Sequence, residues 1–451
     1  MNFEKIGLNI PTILLPGKGI DLSKWAVVAC DQYTSQPEYW EKVAAFTADA
    51  PTTLTVTYPE VFLEDKNDDP EARIKSINTA MEQYLTDGIL EEHKDSFILL
   101  DRKTAHVPSR KGLVVALDLE KYDYSVGSQS LIRATEGTIV DRLPPRVKIR
   151  ENASIELPHI MVLIDDPERT VIEPLFNKDL ECVYDFDLMM NSGHLKGWKI
   201  SDKTILSEIA DNLARLGEQK VFNEKYDVTD KGVLLFAMGD GNHSLATAKN
   251  IWESKKAAAE DKEAVMNDPA RYALVELVNV HDDGLEFEPI HRVVFNVDTR
   301  DMFMKMPEFF EPQGTEFSFE LFTSHEEMKM RAEEIRETSE NVHVVSFVTK
   351  DGYGVIKLQN PTLNLEVGNL QAFIDDYLES NKDAHVDYIH GDDVVTNLGS
   401  KENNVGFYLP VLGKGELFKT VVLDGALPRK TFSMGEADEK RFYLEARKII
   451  N

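Results

Sequence analysis

Cysteine is nearly absent from this chain of 451 residues. Cys30 and Cys182 are too few for a disulfide framework or a set of zinc ligands, and their scarcity fits a reducing compartment. Long apolar runs are missing too. None approaches the roughly 20 residues needed to cross a bilayer. The stretch Met1–Leu8 lacks a basic start followed by an apolar core, so no secretory signal is read there. The expected location is the cytoplasm. Positive charge is in short supply, with 50 Lys and Arg against 79 Asp and Glu and a net charge of −29. A polyanion is repelled by nucleic acid and by acidic membranes, so neither is expected as a partner. Internal repeats and low-complexity linkers are absent. What remains is an ordinary globular composition, 42% hydrophobic and 29% charged, on a chain long enough for two or three cores.

The centre of the chain carries the most informative stretch. Val233 to Met238 has no polar side chain and reads as a buried strand. Gly239, Asp240 and Gly241 break it, and a helix-forming segment follows at once. Glycines in such a turn let a ligand approach the main chain. Asn242 or Ser244 is placed to cap the helix, whose first amides point back at the turn. There Asp240 and His243 can meet one ligand with a carboxylate and an imidazole. A tight capped turn uses the same residue types, and both readings stay open.

Other strand ends offer partners. Trp25 to Cys30 reads as a short strand ending at Asp31 and Gln32, a usual place for a ligand in an open sheet, although loop and cap chemistry also explains them. A helix is expected from Pro37, another over 71–85 and a third over 204–216. The basic stretch Arg102–Lys111 reads as the solvent tip of a strand pair. Further on, Arg133, Arg142, Arg146, Lys148 and Arg150 are opposed only by Glu136 and Asp141. Arginines grip phosphate or carboxylate through paired hydrogen bonds, so an anion site and a solvated helix face after Pro145 are the alternatives. His291 and Arg292 sit where a loop becomes a strand, and alternation sends them to opposite faces. Lys430 and Thr431 fit a phosphate loop or a surface loop equally.

The alternation of helices and strands predicts an α/β or α+β fold with a mixed sheet core. The expected division is residues 1–297, carrying the Asp-Gly-x-His turn, and residues 298–451, an α+β module closing with a loop and a charged helix.

Asp240-Gly241-Asn242-His243, with Pro289-Ile290-His291-Arg292 and Leu427-Pro428-Arg429-Lys430, resembles the domain-of-unknown-function 1015 family over nearly the whole chain. The turn is also similar to one in the ParB/sulfiredoxin-like fold, where such segments contact nucleotide phosphates. The family pattern is Asp-Gly-His-His-Arg. Asp240, Gly241 and His243 match it, Asn242 stands for a His, and Ser244 replaces the Arg that relatives use on phosphate. Arg133, Arg146, Arg292 or Lys430 would then supply that charge.

The resemblance implies an enzyme acting on a nucleotide or other phosphate-bearing small molecule, by phosphoryl transfer or nucleotide hydrolysis. ATP, ADP or CTP with Mg2+ is the expected cofactor, with Asp240 on the metal and His243 as general base or acid. Two alternatives remain. One is a non-catalytic nucleotide- or metabolite-binding regulator. The other is a metal-dependent hydrolase using Asp31, Asp240, His243 and His291.

Overall fold

A computed structural model describes residues 3–63 and 68–450. The chain divides into two compact units, Met1–Glu286 with Gly435–Asn451, and Phe287–Met434. The sequence reading placed the change of character at 298. In the structure the second unit begins at Phe287, because the strand Phe287–Pro289 pairs with Phe432–Met434, a partner that only the folded chain reveals.

The first unit is built on a mixed sheet, ten-stranded among the described residues. Its order is Glu181–Asp187, His194–Ile200, Phe97–Lys103, Arg110–Asp118, Tyr272–Asn279, Met161–Ile164, Phe236–Asp240, Ile132–Arg133 and Tyr122–Asp123, with Leu8–Asn9 also on Arg110–Asp118. Met161–Ile164 and the Phe236–Met238 part of its neighbour are buried and apolar on both faces, as the run before Gly239 predicts, while Tyr272–Asn279 also buries Glu276 and Asn279. Helix Lys203–Leu216 starts where Asp202 accepts the amides of Thr204 and Ile205, and it buries Leu206, Ile209, Ala210 and Leu213. Helix Pro70–Thr86 begins on Asp69 in the same way, with proline at its first position. The helix expected from Pro37 runs over Pro37–Thr47.

Besides the pair of Phe287–Pro289 with Phe432–Met434, the second unit holds a six-stranded antiparallel sheet in the order Glu316–Phe322, Gly352–Gln359, Val342–Thr349, Asn404–Tyr408, His291–Phe295 and His385–Ile389, counted among the described residues. Helices Thr299–Phe310, His325–Thr338 and Glu366–Ser380 belong to it. The fold class is therefore mixed α/β, as expected.

Three local readings change. The charged helix expected to close the chain is absent from the described part of that segment, residue 451 lying outside it. Short strands Phe442–Tyr443 and Arg447–Lys448 pair there with Val27–Val28 and Ile155–Glu156. Two of its arginines are buried ion-pair partners, Arg441 bonding Glu276 and Glu445 and Arg447 bonding Glu156, while Lys448 is exposed. Arg102 and Arg110 are buried, donating to the carbonyls of Asp438 and Glu439, so the hairpin base is not a solvent tip. The strand before the central turn is Phe236–Asp240, which keeps Gly239 inside it. No helix among the described residues is long and apolar enough to cross a membrane.

Candidate functional site

The site is set by strand register. Met161–Ile164 runs antiparallel to Phe236–Asp240, with Met161 opposite Asp240. Residues just before Met161 therefore lie beside the turn that follows Asp240. Gly241 takes φ +80°, and a Cβ there would stand 3.1 Å from the Ile160 Cα. Glycine is required twice over, by the left-handed backbone and by the approach of the neighbouring chain.

Gly241 is also the N-cap of helix Asn242–Ala258, and no side chain caps it. The expected cap from Asn242 or Ser244 is not made. Asn242 is already the first helical residue, and the Ser244 hydroxyl is turned away, with Oγ 2.9 Å from His159 Nε2. The first turn of this helix thus presents amides without a side-chain acceptor.

Asp240 Oδ1 accepts the Gly241 amide at 2.8 Å, and its Oδ2 lies 3.1 Å from Lys440 Nζ. Burial opposes the charge, yet Lys440 and the Gly241 amide hold this carboxyl below the ordinary carboxylate range. His243 is pushed the other way. Burial, then the cations of Arg146 and Arg142, hold its imidazole below its ordinary value and so neutral at pH 7. Its Nε2 is buried without a hydrogen-bond partner, as is Asn242 Oδ1.

Arg146 reaches this region because helix Leu143–Arg150 packs against Asn242–Ala258. Its guanidinium pairs with Glu60 and donates to the Arg142 carbonyl at 2.8 Å. Burial raises the Glu60 carboxyl and Arg146 counters that rise. Arg146 and Arg150 both line a cavity of about 140 Å3, whose wall also carries Cys30, His159, Ser244 and Tyr443. His159 Nδ1 is 2.8 Å from the Tyr443 hydroxyl, which accepts the Cys30 amide at 3.1 Å. Asp31 Oδ2 lies 4.0 Å from His159 Nε2, and Gln32 donates to Asp31 at 3.0 Å.

The turn thus gathers Asp31, Gln32, Arg146, Asp240, Gly241, Asn242, His243 and Ser244. Gly239 holds the strand end beside them. Arg133 is used otherwise: buried, it donates to the carbonyls of Ser130 at 2.7 Å and Gly232 at 2.5 Å, and burial lowers it to about 10. Glu136 is half-buried just beyond it.

His291, Arg292 and Thr431 lie in the second unit and serve its own structure, as does the carbonyl of Lys430, whose side chain is exposed. His291 Nδ1 accepts the Leu409 amide at 3.0 Å and its Nε2 is 3.1 Å from Asp392. Burial holds that imidazole below its ordinary value. Arg292 is fully buried, bonding Gln371 and the carbonyls of Ile290, Arg429 and Lys430. The Thr431 hydroxyl donates to the Pro428 carbonyl at 2.7 Å.

Four residues escape the sequence reading: His159, Glu60, Lys440 and Tyr443. The signal for His159 is weak, a polar residue between Pro158 and a buried strand. Lys440 and Tyr443 fall in a segment whose charge pattern reads as helix. Among the described residues, no group of three or more His, Cys, Asp or Glu is placed to hold a metal ion.

No curated protein matches the chain. Among solved structures, a free serine kinase mutant in complex with AMP is similar at 10% identity and a TM-score of 0.39, over 74% of this chain and 92% of that one. A conserved hypothetical protein from Pyrococcus furiosus is similar at 11% identity and a TM-score of 0.34, over 75% and 95%. SbnI from Staphylococcus aureus, truncated at its C-terminus, is similar at 10% identity and a TM-score of 0.32, over 73% and 82%. Likenesses of this degree carry no functional argument. The family model for a protein of unknown function, DUF1015, matches residues 14–377, and the chain belongs to that family.

Proposed function

We propose that the Asp240 turn binds a nucleotide or another phosphate-bearing small molecule, and that the protein is an enzyme acting on it by phosphoryl transfer. One observation carries this reading. Two adjacent residues at an uncapped helix N-terminus, Asn242 and His243, hold buried polar atoms without partners. Buried polar atoms are paired in native structures as a rule, and a ligand whose phosphate takes the helix amides and whose hydroxyl donates would pair these acceptors. Arg142 and Arg146 add positive potential at His243.

In this reading the helix amides hold the phosphate. His243, neutral at pH 7, takes the proton of the attacking group as a bond forms to phosphorus and the bond to the leaving group breaks. Asp240 is kept ionised and is the residue for Mg2+ entering with ATP, ADP or CTP, while Lys440 balances charge beside it. The likeness of the turn to the ParB/sulfiredoxin-like element belongs to the same reading.

The test is thermal stability with ATP, ADP and CTP, each with Mg2+, followed by turnover. A raised melting temperature and turnover lost in Asp240→Asn and His243→Ala are expected. A panel with no shift and no hydrolysis overturns the proposal. Binding without turnover in any assay points instead to the regulatory alternative.

A further inference from the structure

The phosphate reading draws on Asp240, Asn242 and His243, with Arg146 and Lys440 beside them, and leaves Ser244 and His159 in the neighbouring cavity without a role. That cavity of about 140 Å3 has an apolar wall at Val56, Met81, Ile149, Leu157 and Leu274 and a charged one at the Arg146–Glu60 and Arg150–Glu156 pairs. Ser244 and His159 open onto it from one side. We infer that Ser244 is a nucleophile with His159 as its base, and that the cavity takes the acyl group of a carboxylic ester.

The geometry is that of an activated serine. A nucleophile and base within about 2.6–3.2 Å, with the base oriented by a third group, is the recurring arrangement. Here Oγ and Nε2 are 2.9 Å apart, and Tyr443 sits 2.8 Å from the other ring nitrogen. A phenol oxygen both donates and accepts. Tyr443 therefore keeps a bond to Nδ1 whether or not that nitrogen carries the proton, while its oxygen also accepts the Cys30 amide. With Nδ1–H donating to Tyr443, Nε2 is free to take the serine proton. Asp31 Oδ2, 4.0 Å from Nε2, stabilises the imidazolium that results. Ser244 is the third residue of helix Asn242–Ala258, so negative charge developing on an attacked carbonyl lies by the positive end of that helix.

The reaction balances with water as co-reactant. Ser244 Oγ bonds to the ester carbonyl carbon and its proton passes to His159 Nε2. The intermediate then expels the alcohol, which takes that proton, and leaves an acyl-serine. Water attacks the acyl-serine and gives one proton to Nε2. The carboxylic acid departs and the proton returns to Oγ. Ester and water have become acid and alcohol. With the wall's charges paired among themselves, Arg146 with Glu60 and Arg150 with Glu156, the apolar residues favour a short aliphatic acyl group over a charged one.

The test uses the full chain, a fluorophosphonate probe and p-nitrophenyl butyrate. One adduct per chain at Ser244 is expected by peptide mass mapping, with none in Ser244→Ala. His159→Ala is expected to slow labelling by about 100-fold or more, the usual contribution of a general base, and added imidazole is expected to restore part of the rate. Tyr443→Phe keeps the ring and is expected to lower the maximal labelling rate without changing the probe concentration that gives half of it. Should a variant fail to fold, the wild-type protein decides alone. An adduct at Ser244 with butyrate ester turnover supports the inference, and no adduct, or an adduct elsewhere, overturns it. Nucleotide plays no part in the assay, so its outcome is separable from that of the phosphate reading.

Discussion

Lys440 Nζ stands 3.1 Å from Asp240 Oδ2, and the two residues are 200 positions apart in the chain. The segment that returns after the second unit carries Lys440 and Tyr443 into the first. The central turn is therefore completed by residues from the far end of the chain.

Lys440→Met removes the countercharge and keeps most of the aliphatic stem. The Asp240 carboxyl should then rise, since burial already opposes its charge. Asp240 is one-third exposed, which limits the loss at neutral pH to on the order of 1 kcal/mol or less. A depressed carboxyl stabilises the fold above its unfolded value, here 3.8, and the contribution fades as pH falls through the lower folded value. Urea denaturation should separate the two proteins at pH 7 and bring them together in strong acid.

His243 has the opposite sign. Burial, with Arg146 and Arg142, places its folded value below the ordinary 6.5. Above 6.5 both states are neutral and the group contributes nothing. As pH falls below 6.5 the unfolded chain takes the proton first and stability is lost until the folded value is passed. His243→Gln should flatten that acid-side loss, measured by denaturant titration between about pH 7.5 and pH 5. Equal slopes in both proteins would contradict it.

Gly241→Ala carries two costs, and Gly88→Ala separates them. Both glycines have positive φ, +80° and +68°, but a Cβ on Gly88 meets nothing within 4 Å while one on Gly241 meets the Ile160 Cα at 3.1 Å. The backbone cost of about 1–2 kcal/mol should appear in both. Gly241→Ala should exceed it and slow any reaction that depends on His159, which adjoins Ile160. Equal melting-temperature losses would mean that the close approach costs nothing.

Arg441→Leu should be the most damaging of these changes. The buried guanidinium pairs with Glu276 and Glu445 and donates to the Pro158 carbonyl at 3.0 Å. Removing it strands two buried carboxylates, a loss of about 3–5 kcal/mol by denaturation. It also removes the donor that fixes the residue before His159. Exposed Arg331, paired with Glu320 in the second unit, is the control and should cost little when replaced.

Local chemistry made much of this protein legible in its sequence. The strand breaks only at Gly241, Gly239 and Asp240 still lying in it, but the apolar run before Gly239 and the helix after the turn are local and have the expected character. So do the helix that Asp202 caps and the proline-started helix at Pro70. The Asp240 turn was likewise marked by its residues alone, together with the resemblance it carries.

Tertiary structure decided what surrounds that turn. Arg133 and Arg146 look alike in the sequence, yet one binds buried carbonyls and the other lines the cavity, because strand and helix placement send them to different surroundings. His159 is made a neighbour of Ser244 by the register of two antiparallel strands, which no local pattern encodes. The charges from Arg441 to Arg447 read as part of a charged helix until Glu276 and Glu156, far away in the chain, are placed beside Arg441 and Arg447. Propensity and periodicity act over a few residues, whereas ion pairs and strand register depend on which distant segments meet.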